Sequence, residues 1–186
     1  MNMRYFGDSY DLVKRSFLSW LRDLGSWYIQ PMFTHEVTAL EAERYASLLG
    51  GEVVSHAELR RDTDRAEFFA SSRGTKNLLL DPDIGIRAEA TGRKAPCYVT
   101  YRELAELVRA RPKYLTLVYD QCVPRAKDEV RRDWLRDKLE AIRAQGICGL
   151  YYVSHAPMLV ASRTREVLGA ARASLLEHLP EGRLLC

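Results

Sequence analysis

Aspartates that end apolar runs are the residues here best placed to do chemistry. Asp81-Pro82-Asp83 stops the run Leu78-Leu79-Leu80, and Asp120-Gln121 stops YLTLVY at residues 114–119. Arg125 follows shortly after, and Ser154-His155 lies between two further apolar runs. Asp8 and Asp11 open the chain's first helical pattern. Hard divalent cations take carboxylate oxygens and water, commonly with one or two direct carboxylates. Asp81, Asp83 and Asp120 are therefore candidate ligands for Mg2+ or Mn2+, an ion that polarises phosphate and activates water. Arg125 offers a two-pronged donor for a phosphoryl oxygen. His155 is suited to proton transfer near neutral pH. Asp8, Asp11 and Gln121 are candidate substrate contacts on the same rim.

Each of these residues also has a plainer role. Asp81-Pro82-Asp83-Ile84-Gly85 is a good turn, because Pro fixes one dihedral, Asp bonds nearby backbone and Gly accepts positive φ. Asp8 is well placed to cap a helix, and Asp120 to cap the segment after it. His155 also suits a turn, and Arg125 a solvated surface. Cys122 has no histidine close in sequence to activate it.

The elements that must position these side chains alternate in kind. Leu12, Val13, Phe17, Leu21 and Leu24 recur at helical spacing after Asp8 and stop at Gly25. Residues 27–34 read as a strand, limited by Pro31 to a site where one ladder bond can be missing. A helix over 36–49 carries Val37, Leu40, Ala42, Tyr45 and Leu48, and a short strand over 51–56 follows. The charged stretch 58–75 holds a short helix. KNLLLDPDIGI is the clearest strand, since its continuous apolar run suits burial on both faces. A polar loop at 87–96 precedes a helix with capping-box spacing at Thr100 and Glu103, ending before Pro112. A buried strand at 114–120 and a helix at 126–145, carrying Val130, Trp134, Leu135, Lys138 and Ile142, come next. ICGLYYV and PMLVAS are too close for a crossover and form an antiparallel hairpin. A helix at 163–178 leads into a frayed tail.

This order predicts one α/β domain over residues 1–186, a three-layer Rossmann-like mostly parallel sheet with a C-terminal antiparallel hairpin. In such sheets ligands bind beyond the carboxyl ends of the strands, near a switch point, which puts the aspartates on one rim. The 186 residues, 47% apolar and 28% charged, suit a globular chain with a single core. No apolar run approaches the roughly 20 residues of a membrane span, and the N-terminus lacks signal-peptide character, so no membrane partner is expected. The four cysteines show no C-x-x-C pair, which favours reduced thiols and a cytoplasmic location. A net charge of +3 gives no global argument for nucleic acid. The long helix interleaves arginines with acids, as a solvated face does. Oligomeric state has no sequence signature here. The dinucleotide fingerprint, the Walker A loop and the nucleophile elbow are all missing.

YFGDSYDLVKR, LLLDPDIGI, YDQCVPR and LYYVSHAP, in this order, resemble the landmarks of a family of uncharacterised bacterial proteins. The element order is also similar to class I methyltransferases, which makes the expected fold methyltransferase-like. GDSYDLVK and the DPDI turn resemble motifs of large-subunit ribosomal RNA adenine methyltransferases, whose DPPY-type turn holds the target base. Asp81 and Pro82 match that turn, while Asp83 and Ile84 stand where it has proline and an aromatic residue. That resemblance implies S-adenosylmethionine as cofactor. The turn that would carry cofactor glycines reads THEVTALEAE, with none. The leading expectation is a metal-dependent hydrolase acting on a phosphodiester in nucleic acid or a nucleotide. The alternatives are a methyltransferase-like enzyme using Asp81 as a polar contact, and a non-catalytic binding protein on a decayed enzyme fold.

Overall fold

A computed structural model describes residues 3–124 and 126–186. Arg125, the expected phosphate contact, lies outside the described residues. The first helix, α1 (Ser9–Trp20), is followed by β1 (Trp27–Pro31), α2 (Ala39–Leu49), β2 (Glu52–Val53) and α3 (Arg65–Phe68). Then come β3 (Asn77–Asp81), β4 (Gly85–Arg87), β5 (Tyr98–Thr100), α4 (Tyr101–Ala110) and β6 (Thr116–Tyr119). The chain finishes with α5 (Asp128–Ala144), β7 (Cys148–Tyr152), β8 (Met158–Ser162), α6 (Arg165–Leu176) and β9 (Leu184–Leu185).

Seven strands form the central sheet in the order β2-β1-β3-β6-β8-β7-β9. β2, β1, β3 and β6 pair in parallel, while β8 is antiparallel to both β6 and β7. The expected hairpin is therefore present, with Tyr152 opposite Met158. β3 is buried along its whole length, as its Leu-Leu-Leu run requires of a strand covered on both faces. Its alternate residues enter two separate cores. Leu79 packs with Phe17 and Leu18 of α1, Tyr45 and Leu49 of α2, and Leu175 of α6. Leu78 and Leu80 pack with Leu104 and Val108 of α4 and Leu135, Leu139 and Ile142 of α5. The result is three layers, helices on both faces of a mostly parallel sheet.

The helices start where side chains cap them. Asp8 accepts from the N–H groups of Tyr10 and Asp11, so its capping role is real. Thr100 and Glu103 form the anticipated capping box on α4, and Thr38 with Glu41 forms a second one on α2. Buried Arg111 donates to the carbonyls of Leu107 and Lys76 and to the Thr116 hydroxyl, fixing the end of α4 to the starts of β3 and β6.

Several expectations are corrected. The stretch 87–96 loops as expected over 88–94, but β4 and β5 on its flanks, which were not foreseen, pair in parallel as a second, two-stranded sheet. The tail is not frayed, because β9 adds to β7 and Val153 donates to the Arg183 carbonyl. Leu12, Leu40, Val130 and Trp134 were expected on apolar faces but are exposed. On α1 the buried face instead carries Asp11 and Lys14 beside Phe17 and Leu18.

Candidate functional site

The parallel register decides which way the aspartates point. Leu80 of β3 pairs with Val118 of β6, so Asp81 is level with Tyr119 and Asp120 lies one residue further on. Successive strand residues face opposite sides of a sheet. Asp81 thus faces the layer of α1 and α2, and Asp120 faces the layer of α5.

On the first side, four buried polar groups meet. Lys14 Nζ lies 2.8 Å from Asp81 Oδ1 and 3.0 Å from Asp11 Oδ1. The Tyr45 hydroxyl donates to Asp81 Oδ2 at 2.5 Å, and the Gly7 N–H donates to Asp11 Oδ2 at 2.9 Å. The ammonium also sits 4.6 Å from the centre of the Tyr119 ring. Burial alone would pull the Lys14 pKa down, but the carboxylates of Asp81 and Asp11 outweigh it and hold the pKa above its ordinary value. Burial, reinforced by the Asp81 charge, pushes the Tyr45 phenol well up. Burial also raises Asp11, against the attraction of Lys14.

Over this network opens a cavity of about 530 Å3, lined among others by Tyr5, Asp8, Tyr10, Asp83, Tyr119 and Gln121. It lies at the carboxyl ends of β3 and β6. β1 leads to β2 on one side, whereas β3 lies on its other side, so the order reverses between β1 and β3. The cavity is therefore beside the switch point where open α/β sheets bind ligands. Asp83 accepts from the Thr34 hydroxyl at 2.6 Å, which ties the turn after β3 to the loop after β1. The Gln121 amide donates to the Tyr119 hydroxyl. Cys97 also lines the cavity, and burial raises its thiol pKa, which keeps it protonated. Among the described lining residues, four carboxylates face one ammonium.

Asp120 belongs to a different grouping. Lys138 Nζ lies 2.7 Å from its Oδ2, the Tyr151 hydroxyl donates to Oδ2 at 2.7 Å, and the N–H groups of Ile86 and Cys122 donate to Oδ1. Lys138 also donates to the Ile86 carbonyl at 3.1 Å. The carboxylate is fully buried and its role is to hold β4 against the end of β6. A Cβ on Gly85 would come within 2.1 Å of Asp120 Oδ1, so only glycine fits there.

The structure brings together Asp8, Asp11, Asp81, Asp83 and Gln121, and it separates Asp120 from them. His155 is exposed in the β7–β8 turn, its ring 5.9 Å from that of Tyr10, outside the cavity lining. The expected shared metal set of Asp81, Asp83 and Asp120 is not assembled. Both oxygens of Asp81 are already engaged by Lys14 and Tyr45, and the described residues contain no group of three His, Cys, Asp or Glu placed to hold an ion. In the turn after β1, Met32 and Phe33 are buried, and Phe33 packs edge-on against Tyr45.

Sequence reasoning missed Lys14, Tyr45 and Tyr119. One signal was available: Asp11 and Lys14 share helical spacing with Phe17, so a charge pair had to sit on the buried face. Comparison of the chain with protein-family models, curated protein sequences and solved structures returns no match.

Proposed function

We propose that this protein is a methyltransferase-like ligand binder whose cavity over Asp81 takes a ring-bearing organic cation. The observation that carries the reading is the cavity itself, acidic and tyrosine-lined, beside the switch point of the sheet. Asp8 and Asp83 attract positive charge at its wall, and the buried Asp11–Lys14–Asp81 group behind them adds a carboxylate in excess. Tyr5 and Tyr10 supply faces for a ring and for a cation. S-adenosylmethionine, a sulfonium with an adenine ring, is the first ligand of this class to test. The strand order supports the methyltransferase-like framework, since the antiparallel strand β8 is inserted between β6 and β7, with the short antiparallel β9 added at the edge. The turn after β1 departs from that framework, so side chains of the cavity, not a glycine cradle, would hold the ligand.

The phosphodiester hydrolase reading ranks lower. Its metal set is split across the sheet, and an acidic cavity repels phosphate. Calorimetric titration with S-adenosylmethionine and, separately, with Mn2+ ranks the two. Saturable binding of S-adenosylmethionine that Asp83→Asn weakens supports the proposal. Binding of Mn2+ alone, lost in Asp83→Asn, would instead favour the hydrolase.

A further inference from the structure

A second cavity, of about 520 Å3, lies at the opposite end of β1. It is lined by Arg15, Ser19, Arg22, Ser26 and Trp27 together with apolar residues and glycines, and no acid is among its described lining residues. Trp27 opens β1, whereas the partner of Pro31 at the other end of the strand is Asp81. The strand therefore separates the two sites by about 13 Å.

Two observations give this groove a ligand. First, its polar side chains are all donors. Those of Arg15, Ser19 and Ser26 have no hydrogen-bond or ion-pair partner among the described residues. Arg22 meets only Asp23, at 3.7 Å, in a solvated contact outside the lining. Second, Trp27 is only 4% exposed, and its indole Nε1 is buried with no acceptor among the described residues. A buried N–H without a partner is uncommon, because it has lost its water and gained nothing in return. Trp27 lines the groove, so a turn of its indole would let an anion bound there supply the acceptor. The fork of a guanidinium with two hydroxyls beside it matches a tetrahedral oxyanion.

We infer that the groove over Trp27 binds a phosphate group, as a site separate from the cavity over Asp81. The test uses the 15N-labelled full chain titrated with inorganic phosphate at constant ionic strength. The readout is the indole N–H resonance of Trp27. Trp134 is the internal reference, because its Nε1 already donates to the Cys122 carbonyl at 3.1 Å. The expected result is a saturable shift of the Trp27 resonance while Trp134 stays still. Arg15→Gln, at an exposed position that leaves the fold intact, should weaken binding about tenfold or more. Trp27→Phe, followed through the backbone amide resonances of Ser19, Arg22 and Ser26, should weaken it as well. A second arm compares a phosphomonoester with a short oligonucleotide. Tighter binding of the oligonucleotide marks a nucleic-acid backbone as the source, and tighter binding of the monoester marks a free phosphate group. A Trp27 resonance that does not shift, or a shift indifferent to Arg15→Gln, would overturn the inference.

Discussion

Asp81 and Asp120 carry the same three-part grouping, an aspartate with a buried lysine and a buried tyrosine, and put it to different uses. Around Asp120 the grouping is closed: two backbone N–H groups complete it, and Gly85 presses on it. Around Asp81 it opens onto a cavity. Lys14 is the residue on which the open version depends, since it alone stands between Asp11 and Asp81. Lys14→Met is expected to cost about 3–5 kcal/mol, because it leaves two buried carboxylates facing each other. Urea unfolding would measure it. Adding Asp81→Asn to that variant should recover part of the loss. The pH dependence follows from the same groups. The pKa values of Lys14, Tyr45 and Tyr151 are raised in the folded protein, so the native state keeps protons that the unfolded chain releases. Their stabilisation is complete below about pH 10 and is lost as pH rises further. Thermal melts across that range should show a falling Tm, and Tyr45→Phe should shallow the fall. The aspartates were legible in the sequence because they end apolar runs. Lys14 was not, because a charged residue within a helical run reads as solvent-facing; Lys138 could be placed on the apolar side of its helix, but not its pairing with Asp120, 18 residues away.

At the scale of elements, legibility followed the range of the forces that define each one. The hairpin was readable because its two strands and short turn are local. The capping box at Thr100 and Glu103 was readable because its partners are three residues apart. β4, β5 and β9 were not, since each has only two or three residues and exists through a distant partner. β4 illustrates the dependence most sharply. Its Ile86 N–H and carbonyl reach Asp120 and Lys138 respectively, and Gly85, at φ 133°, allows the approach. Gly85→Ala is expected to destabilise the protein by about 3 kcal/mol or more, from the clash with Asp120 together with backbone strain. Hydrogen exchange should show the loss of protection centred on residues 84–87 and on the neighbouring end of β6. Uniform loss across the chain would mean that β4 is not a separately held element.

For the whole molecule, the alternation of strands and helices was enough to foresee three layers and an open sheet. It was not enough to foresee the faces. A register offset of one residue between β3 and β6 sends Asp81 and Asp120 to opposite sides, and nothing in the sequence of either strand encodes that offset. The rim of acids seen in the sequence thus divides into an acidic, tyrosine-lined cavity on one side and a sealed structural joint on the other. The account stands on the first of these recognising positive charge. The most direct test compares the affinities of S-adenosylmethionine and S-adenosylhomocysteine, which differ by the methyl group and the sulfonium charge, in the wild type and in Asp83→Asn. The account predicts that the wild type prefers the sulfonium by about tenfold, as a partly desolvated cation over tyrosine and carboxylate should give. It also predicts that Asp83→Asn removes most of that preference. Equal affinity for the two ligands in the wild type, or a preference that Asp83→Asn leaves intact, would contradict it.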